Sequence, residues 1–204
     1  LGSGQWEKVC RKAKSRITDV AAEILEIYAK REMQSGRIIS ANDDSYSVFS
    51  DQFDYEETVD QESAIQEVIN DLESGKPMDR LICGDVGFGK TEVAMRAIFL
   101  AVNSGYQVAV LVPTTLLARQ HYETFCTRFS GWPINIAQLS RLQSRTVASD
   151  VRNDIAVGAV DVVVGTQKLL NSELKFKKLG LLIIDEEHRF GVTQKEKIKS
   201  IKGD

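Results

Sequence analysis

The feature that most constrains the fold is an eight-residue stretch, Gly84-Asp85-Val86-Gly87-Phe88-Gly89-Lys90-Thr91. A short apolar run, Leu81–Cys83, precedes it, and residues that are apolar at helical spacing follow it. The glycines are therefore predicted to form a turn between a strand and a helix, where backbone N–H groups can converge on an anion. The stretch also matches G-x-x-x-x-G-K-[ST], the pattern of the phosphate-binding P-loop.

Each position in this pattern has a chemical reason. Gly84 and Gly89 let the backbone wrap a polyphosphate without Cβ clashes and turn N–H groups inward. Lys90 is predicted to bind the β- and γ-phosphates, and the Thr91 hydroxyl is predicted to ligate Mg²⁺. A glycine-rich turn with an incidental lysine is the alternative, and the predicted strand and helix on either side disfavour it.

A second candidate element is the acidic end of another apolar run, Leu181–Ile184. In a parallel sheet, ligands bind outside the carboxyl ends of the strands, so Asp185 is predicted to lie beside the P-loop and hold Mg²⁺. Glu186 is predicted to accept a proton from an attacking water or to orient it. An acidic strand end alone is usually a solvated terminus, but together with a P-loop it predicts nucleoside triphosphate hydrolysis.

The pattern from Arg80 onward predicts an α/β fold. Continuous apolar strands that alternate with helices are typical of a parallel sheet covered by helices on both faces. The strand candidates are Leu81–Cys83, Val108–Val112, Ile134–Leu139, Val160–Val164 and Leu181–Ile184, with helices beginning near Lys90, Leu116, Ser144 and Gln167. Another helix is predicted over Val59–Leu72. The N-terminal residues, from Trp6 to about Gln34, have a helical apolar stripe. We therefore predict a helical linker over residues 1–50 and a phosphate-binding lobe over residues 51–204.

Composition excludes several classes of protein. The net charge is −3 and 43% of the residues are hydrophobic, so any nucleic-acid-binding surface must be local. The apolar runs are too short to span a bilayer, which predicts no membrane partner. Cys10, Cys83 and Cys126 are far apart in sequence and favour reduced thiols in a cytoplasmic protein. The two histidines, His121 and His188, form no recognisable metal-binding motif with the cysteines. We therefore predict a structural role for His121 and a hydrogen-bonding link to the nucleotide site for His188.

The strings "DEEH", "GDVGFGKTEVAMRA", "VLVPTTLLARQHY", "VGTQKLL" and "DEEHRFGVTQKEKIK" carry a resemblance to a known family. The sequence resembles the bacterial transcription-repair coupling factors, which are DExH translocases of helicase superfamily 2. The helical start of the chain, "LGSGQWEKVCRKAKSRITDVAAEILEIYAKRE", is similar to the segment that joins the polymerase-binding domain of that family to its motor. The resemblance implies a RecA-like lobe, ATP and Mg²⁺ as cofactors, and Glu187 and His188 as residues that couple the ATP site to the rest of the motor.

The resemblance also implies a site for the base. The stretch from Tyr55 to Gln61 is similar to the adenine-recognising Q motif, in which Gln61 would read the base edge and Tyr55 would support the ring. An amide suits this role because it offers a donor and an acceptor together. The family usually has proline where this chain has Val59.

A track for double-stranded DNA is implied by further motifs. Thr114 and Thr115 would hold backbone phosphates, and Arg141, Gly165 and Thr166 would extend the track. For the two threonines, simple capping of a helix N-terminus is an alternative that can coexist with DNA binding. Gln167 and Leu142 replace a histidine and an aromatic residue that are common in the family.

Motors of this class hydrolyse ATP between two RecA-like lobes, and the second lobe supplies an arginine finger worth about 10³- to 10⁵-fold in rate. Since this chain ends at Asp204, we expect a fragment that is nearly inactive as an ATPase. Contacts with RNA polymerase and excision-repair proteins would then depend on domains outside the chain.

Other functions remain open at this point. One is a remodelling helicase for branched DNA of the RecG type, whose strings are similar. Another is an interaction module in which the helix at Ser15–Arg31 docks a partner and the P-loop is vestigial. The intact Lys90, Thr91, Asp185 and Glu186 argue against a vestige. A metabolic kinase is disfavoured because no lid or substrate-binding arginine cluster follows the P-loop.

Overall fold

The structure is a computed structural model. It describes residues 36–40, 44–85, 87–170 and 174–191, together with a few isolated positions near the two ends of the chain. The predicted N-terminal helix lies largely outside the described residues, although Arg11 and Lys12 within it are helical and exposed. Val86 of the P-loop also lies outside them.

The described residues contain a four-stranded parallel sheet. Its strands are β1 (Gln107–Leu111), β2 (Ile136–Leu139), β3 (Val162–Gly165) and β4 (Leu179–Ile184), in the spatial order β2-β3-β1-β4. All three neighbouring pairs are parallel. Their near-continuous apolar sequences suit strands that are covered on both faces, and β1 is buried along its whole length.

From Lys90 onward, helices and strands alternate along the chain, as predicted. They are α1 (Asp44–Asp51), α2 (Val59–Glu73), α3 (Lys90–Asn103), α4 (Thr115–Arg128) and α5 (Arg145–Val157), with a 3-10 helix at Gln167–Leu170. Hydroxyl side chains begin three of these helices by accepting the N–H of the residue three positions later: Thr58 for α2, Thr114 for α4 and Ser144 for α5.

Two separate cores confirm that helices cover both faces of the sheet. On one face, Val108 and Val110 of β1 pack with buried residues of α2, α3 and α4. On the other face, Ala109 and Leu111 pack with Ala148 and Ile155 of α5. The alternation follows from the two-residue period of a strand. The predicted α/β class is therefore confirmed.

The predicted first strand, Leu81–Cys83, is wrong in this structure. These residues are not part of the described sheet, and the Leu81 side chain is 79% exposed. Only Ile82 packs against the core. A run of three apolar residues is too short to show a period, so it fits a strand and an irregular segment equally well.

Helix α1 was not predicted, because it begins within the polar stretch "SANDDS", which is typical of a loop. Phe49 of α1 is fully buried and stacks on Phe99 and Phe129, with ring centroids 4.3 and 5.3 Å apart. Phe49 belongs to residues 1–50, which were predicted to form the linker, yet it packs into the core of the α/β region. The division of the chain into a linker and a lobe stays a prediction.

Candidate functional site

The P-loop leads directly into helix α3. Gly87 and Gly89 have φ values of 89° and 69°, in the left-handed region that favours glycine, and α3 begins at the next residue, Lys90. The Lys90 ammonium donates hydrogen bonds to the carbonyl oxygens of Gly84 and Asp85, at 2.5 and 2.7 Å. The lysine is therefore held by the loop that the sequence predicts to cradle phosphates.

Asp185 lies at the carboxyl end of β4, as predicted. Its backbone N–H donates to the carbonyl of Leu111, 2.9 Å away, and one carboxylate oxygen accepts a hydrogen bond from Nε2 of His121, 2.8 Å away. This bond from His121 lowers the pKa of the Asp185 carboxyl, outweighing partial burial, and the charge of Lys90 adds to the lowering. The carboxylate is therefore stabilised in its ionised form.

One cleft brings the two elements together. Its volume is about 620 Å³, within the range of about 300 to 1,000 Å³ that is usual for small-molecule sites. The predicted site residues among those lining it are Tyr55, Gln61, Gly87, Gly89, Thr91 and Asp185. The P-loop, the candidate base-reading segment and the acidic strand end therefore face the same space.

The donor set of this cleft fits Mg²⁺ carried by a nucleotide. The Thr91 and Asp185 side chains offer oxygen ligands, and Mg²⁺ is usually bound through one or two carboxylates together with phosphates and waters. The residues that the structure describes contain no group of three His, Cys, Asp or Glu side chains that could hold a metal ion. A cation at this site would thus take most of its ligands from phosphate and water.

Glu186 does not line the cleft with Asp185. Its backbone has a φ of 54°, which is uncommon for a residue other than glycine. Its Oε2 lies 3.1 Å from both Nε2 of His188 and Nε of Arg189. The predicted coupling residues Glu187 and His188 are exposed and form the turn that follows. The adjacent carboxylates therefore have different partners.

The side chain of Gln61 is engaged within the protein. Its Oε1 accepts the N–H of Thr58 at 2.8 Å, and its Nε2 donates to the carbonyl of Phe88 in the P-loop at 2.8 Å. Gln61 thus caps α2 and ties that helix to the P-loop. Tyr55 is 75% exposed, and its ring contacts Phe53 edge to face at a centroid distance of 5.5 Å.

Sequence reasoning missed the role of His121. It lies in the middle of α4, 64 positions from Asp185, and its ring reaches the Asp185 carboxylate. The predicted structural role of His121 did not anticipate this contact, in which the ring lines the cleft and hydrogen-bonds to a candidate metal ligand. No local sequence pattern marks this contact.

A buried group of charged side chains was also missed. Arg96 and Glu92, one turn apart on α3, are each 3% exposed and form an ion pair at 2.7 Å. Arg128 of α4 pairs with the same Glu92 at 2.9 Å, and Glu57 pairs with Arg96. Burial alone would lower the pKa of Arg96, but hydrogen bonds to Glu92 and Tyr46 outweigh it and raise that pKa. We call Glu57, Glu92, Arg96 and Arg128 the buried charge network, in which Glu57 lies at the exposed edge, with its side chain 31% exposed.

The candidate DNA-binding residues lie at the ends of neighbouring strands. Thr114 and Arg141 are exposed, whereas Gly165 and Thr166 are buried, with Thr166 at 5% exposure. Thr114 caps α4 and Thr115 is the first residue of that helix, so the capping alternative is present. Arg141 lies within 3.4 Å of the Gln167 side-chain oxygen. Only part of the predicted track is therefore exposed.

Gly165 has a packing role. A Cβ at this position would lie 2.5 Å from the carbonyl oxygen of Leu139 on the neighbouring strand, so only glycine fits.

Over the residues that the structure describes, no helix combines the length and the apolarity needed to cross a membrane.

Known proteins resemble this chain in sequence and in structure. Residues 58–204 match the DEAD/DEAH box helicase family. The chain is 55% identical to the transcription-repair-coupling factor of Haemophilus influenzae and 52% identical to that of Escherichia coli, over 99% of its own length and 18% of theirs. The structure of RecG bound to a three-way DNA junction has a TM-score of 0.75 and 38% identity, over 81% of this chain and 23% of the RecG chain.

These comparisons confirm the predicted resemblance to transcription-repair coupling factors. They also show that the chain spans less than a fifth of the length of these relatives.

Proposed function

Because the chain belongs to the DEAD/DEAH box helicase family, we propose that it contains the first motor lobe of an ATP-dependent DNA translocase. The observation that carries this proposal is the single cleft onto which the P-loop, Gln61 and Asp185 all open. We propose ATP as the nucleotide and Mg²⁺ as its cation, which neutralises phosphate charge when it is bound.

Each residue of the cleft then has a role. Gly84 to Gly89 wrap the phosphates with backbone N–H groups, and Lys90 exchanges its two carbonyl partners for phosphate oxygens. Thr91 and Asp185 hold the cation. Glu186 orients the attacking water or accepts its proton, once its side chain turns toward the cleft. Gln61 and Tyr55 bind the base.

We propose that the edge of the sheet beyond this cleft binds the backbone of double-stranded DNA. Thr114 and Thr115 are at the N-terminus of α4, where N–H groups favour a phosphate. Arg141 is exposed in the turn after β2, which lies two places from β1 in the sheet. Gly165 and Thr166 would support this surface from beneath, since both are buried. The similar RecG structure was determined with a three-way DNA junction, which favours DNA as the ligand.

The whole protein would displace stalled RNA polymerase and couple transcription to nucleotide excision repair in the cytoplasm. RNA polymerase and the repair proteins would bind through parts outside this chain, and residues 1–50 would link those parts to the lobe. Glu187 and His188 would transmit the state of the ATP site. Remodelling of branched DNA, as for RecG, is the second candidate, and the lower identity to RecG disfavours it.

Calorimetric titration with Mg-ATP tests the proposal. We expect this chain to bind Mg-ATP, and we expect Lys90→Ala to weaken binding by about a hundredfold, or about 2.7 kcal/mol. Arg119→Ala is a matched control, since Arg119 forms an exposed ion pair with Glu123 on α4. We expect steady-state hydrolysis to be very slow in all three proteins. No heat of binding from the unchanged chain would contradict the proposal.

A further inference from the structure

Helix α3 carries a charged pair where a helix of this kind usually buries apolar side chains. Glu92 and Arg96 are both 3% exposed, although they lie only two and six residues after the P-loop lysine, Lys90. Burying charges costs free energy unless they are paired and hydrogen-bonded. The groups that pair with these two side chains therefore indicate which part of the fold they stabilise.

The contacts of Arg96 lead to the segment between α1 and α2. Its guanidinium donates to the hydroxyl of Ser50 and pairs with the carboxylate of Glu57. It also lies 6.0 Å from the centre of the Phe53 ring, between these two contacts in sequence. One buried arginine thus holds both ends of the segment 50–57.

Arg128 supports the same segment from α4. It donates to both carboxylate oxygens of Glu92, at 2.9 and 3.2 Å, and to the carbonyl of Phe49 at 2.9 Å. Its guanidinium lies 3.8 Å from the centre of the Phe49 ring and 6.0 Å from that of Phe53. Glu92 is therefore the common partner that fixes the two arginines relative to each other.

The segment that these arginines hold forms one wall of the nucleotide cleft. Residues 53–58 form neither helix nor strand, so side-chain contacts determine where they lie. The wall residues they contribute are Phe53, Tyr55, Glu56 and Thr58. Glu57 lies among them in sequence, but it points to Arg96 rather than lining the cleft.

We infer that the buried charge network positions the base-binding wall of the cleft relative to the P-loop, with Arg96 as the positioning residue. Arg96, which holds the wall, and Lys90, which lies at the phosphate site, are on one rigid helix. Helix α3 therefore fixes the distance between the wall and the phosphate site. This inference rests on the proposed function, because it specifies how the same cleft recognises the nucleobase.

The inference predicts separate effects on the two halves of a nucleotide. Loosening the wall should weaken contacts with the base and leave contacts with the phosphates intact. Mg-ATP affinity should then fall while affinity for Mg-tripolyphosphate, which has no base, stays the same. Discrimination between ATP and GTP should fall as well.

Glu57→Gln is the sharpest variant, because it removes the charge that links the wall to Arg96 and leaves the Arg96–Glu92 pair in the core. The Glu57 side chain is 31% exposed, so the substitution leaves folding intact. Arg96→Gln removes the centre of the network, and Arg96→Lys keeps its charge as the conservative variant. Arg119→Gln, on an exposed ion pair that does not line the cleft, is the matched control.

We expect Glu57→Gln and Arg96→Gln each to weaken Mg-ATP binding by about tenfold or more, with Arg96→Lys recovering part of the loss. Mg-tripolyphosphate binding should be equal in every protein that circular dichroism shows to be folded. Unchanged ATP affinity and unchanged ATP-to-GTP preference in Glu57→Gln would overturn the inference. So would an equal loss for both ligands, which indicates general damage to the cleft. Failure of the unchanged chain to bind either ligand would instead overturn the proposed function.

Discussion

The two sides of the proposed nucleotide cleft, which we call the base side and the phosphate side after the parts of ATP that we propose they bind, are built in different ways. The base side is backed by side chains with almost no exposure, such as Arg96 and Glu92, and by the stacked ring of Phe49. The phosphate side consists of an exposed loop, whose Lys90 is held by two carbonyl groups of that loop. The base side is therefore fixed by the fold itself, whereas the phosphate side presents groups that can exchange partners. Substitutions on the two sides should accordingly have different effects on stability.

The largest effect is expected for Arg96→Met on the base side. Removing one member of a buried ion network leaves the others unpaired, which typically costs about 3–5 kcal/mol. Here the buried Glu92 would keep Arg128, and Glu57, which would lose its partner, is partly exposed, so we expect a loss of about 2 kcal/mol, below that range. Urea unfolding followed by circular dichroism measures it. A loss below about 1 kcal/mol would mean that the base side is not held by its charges.

A smaller effect is expected where the two sides meet. Gln61→Ala removes the hydrogen bonds to the N–H of Thr58 and the carbonyl of Phe88, for a loss of about 1 kcal/mol. In a chain of this size that lowers the melting temperature by about 2–4 °C. Lys90→Ala is the matched change on the phosphate side, and we expect it to alter stability by less than about 0.5 kcal/mol. Equal losses in the two variants would contradict the comparison.

The sequence predicts the phosphate side better than the base side, and the reason is physical. The P-loop and the acidic end of β4 are local patterns, in which the chemistry follows from residues that are adjacent in the chain. Likewise, the alternation of strands and helices from β1 onward is visible as apolar periodicity. The fold class and the meeting of the P-loop with Asp185 could therefore be predicted.

The base side depends on contacts between residues that are distant in sequence. Arg96 pairs with Glu57, 39 positions away, and Arg128 reaches Phe49, 79 positions away. The apolar periodicity of a sequence does not reveal pairs of residues that are so far apart in the chain. The buried charge network and helix α1 were therefore not predicted. The predicted strand at Leu81–Cys83 was wrong for a related reason. Whether a short apolar run joins a sheet depends on which residues surround it in space.

His121→Ala tests the hydrogen bond to Asp185, beside the phosphate side, and should have a modest, pH-dependent effect. The folded-state pKa of Asp185 is lowered, first by the hydrogen bond from His121, so this bond adds stability above the unfolded pKa of about 3.9. That stability is lost as the pH falls through the lower folded value. Because Asp185 is partly exposed, we expect less than about 1 kcal/mol at neutral pH.

The measurement is the free energy of unfolding of both proteins between neutral and acid pH. The difference should be present at pH 7 and vanish as Asp185 becomes protonated in the folded state. NMR titration of the carboxyl should show a higher pKa for Asp185 in His121→Ala. A difference that grew toward acid pH would contradict this account, because its sign would be opposite to that of a lowered carboxyl pKa.

The smallest effect on stability is expected for Glu186→Gln, on the phosphate side. The Glu186 carboxylate pairs with His188 and Arg189, whose side chains are 74% and 56% exposed, and such surface pairs contribute little. The substitution also keeps the length of the side chain and the backbone conformation, so we expect a change within about 0.5 kcal/mol and unchanged Mg-ATP binding. Thermal unfolding and calorimetry measure the two quantities. A loss above about 1 kcal/mol would mean that the turn after β4 is held as firmly as the base side, and the contrast between the two sides of the cleft would then disappear.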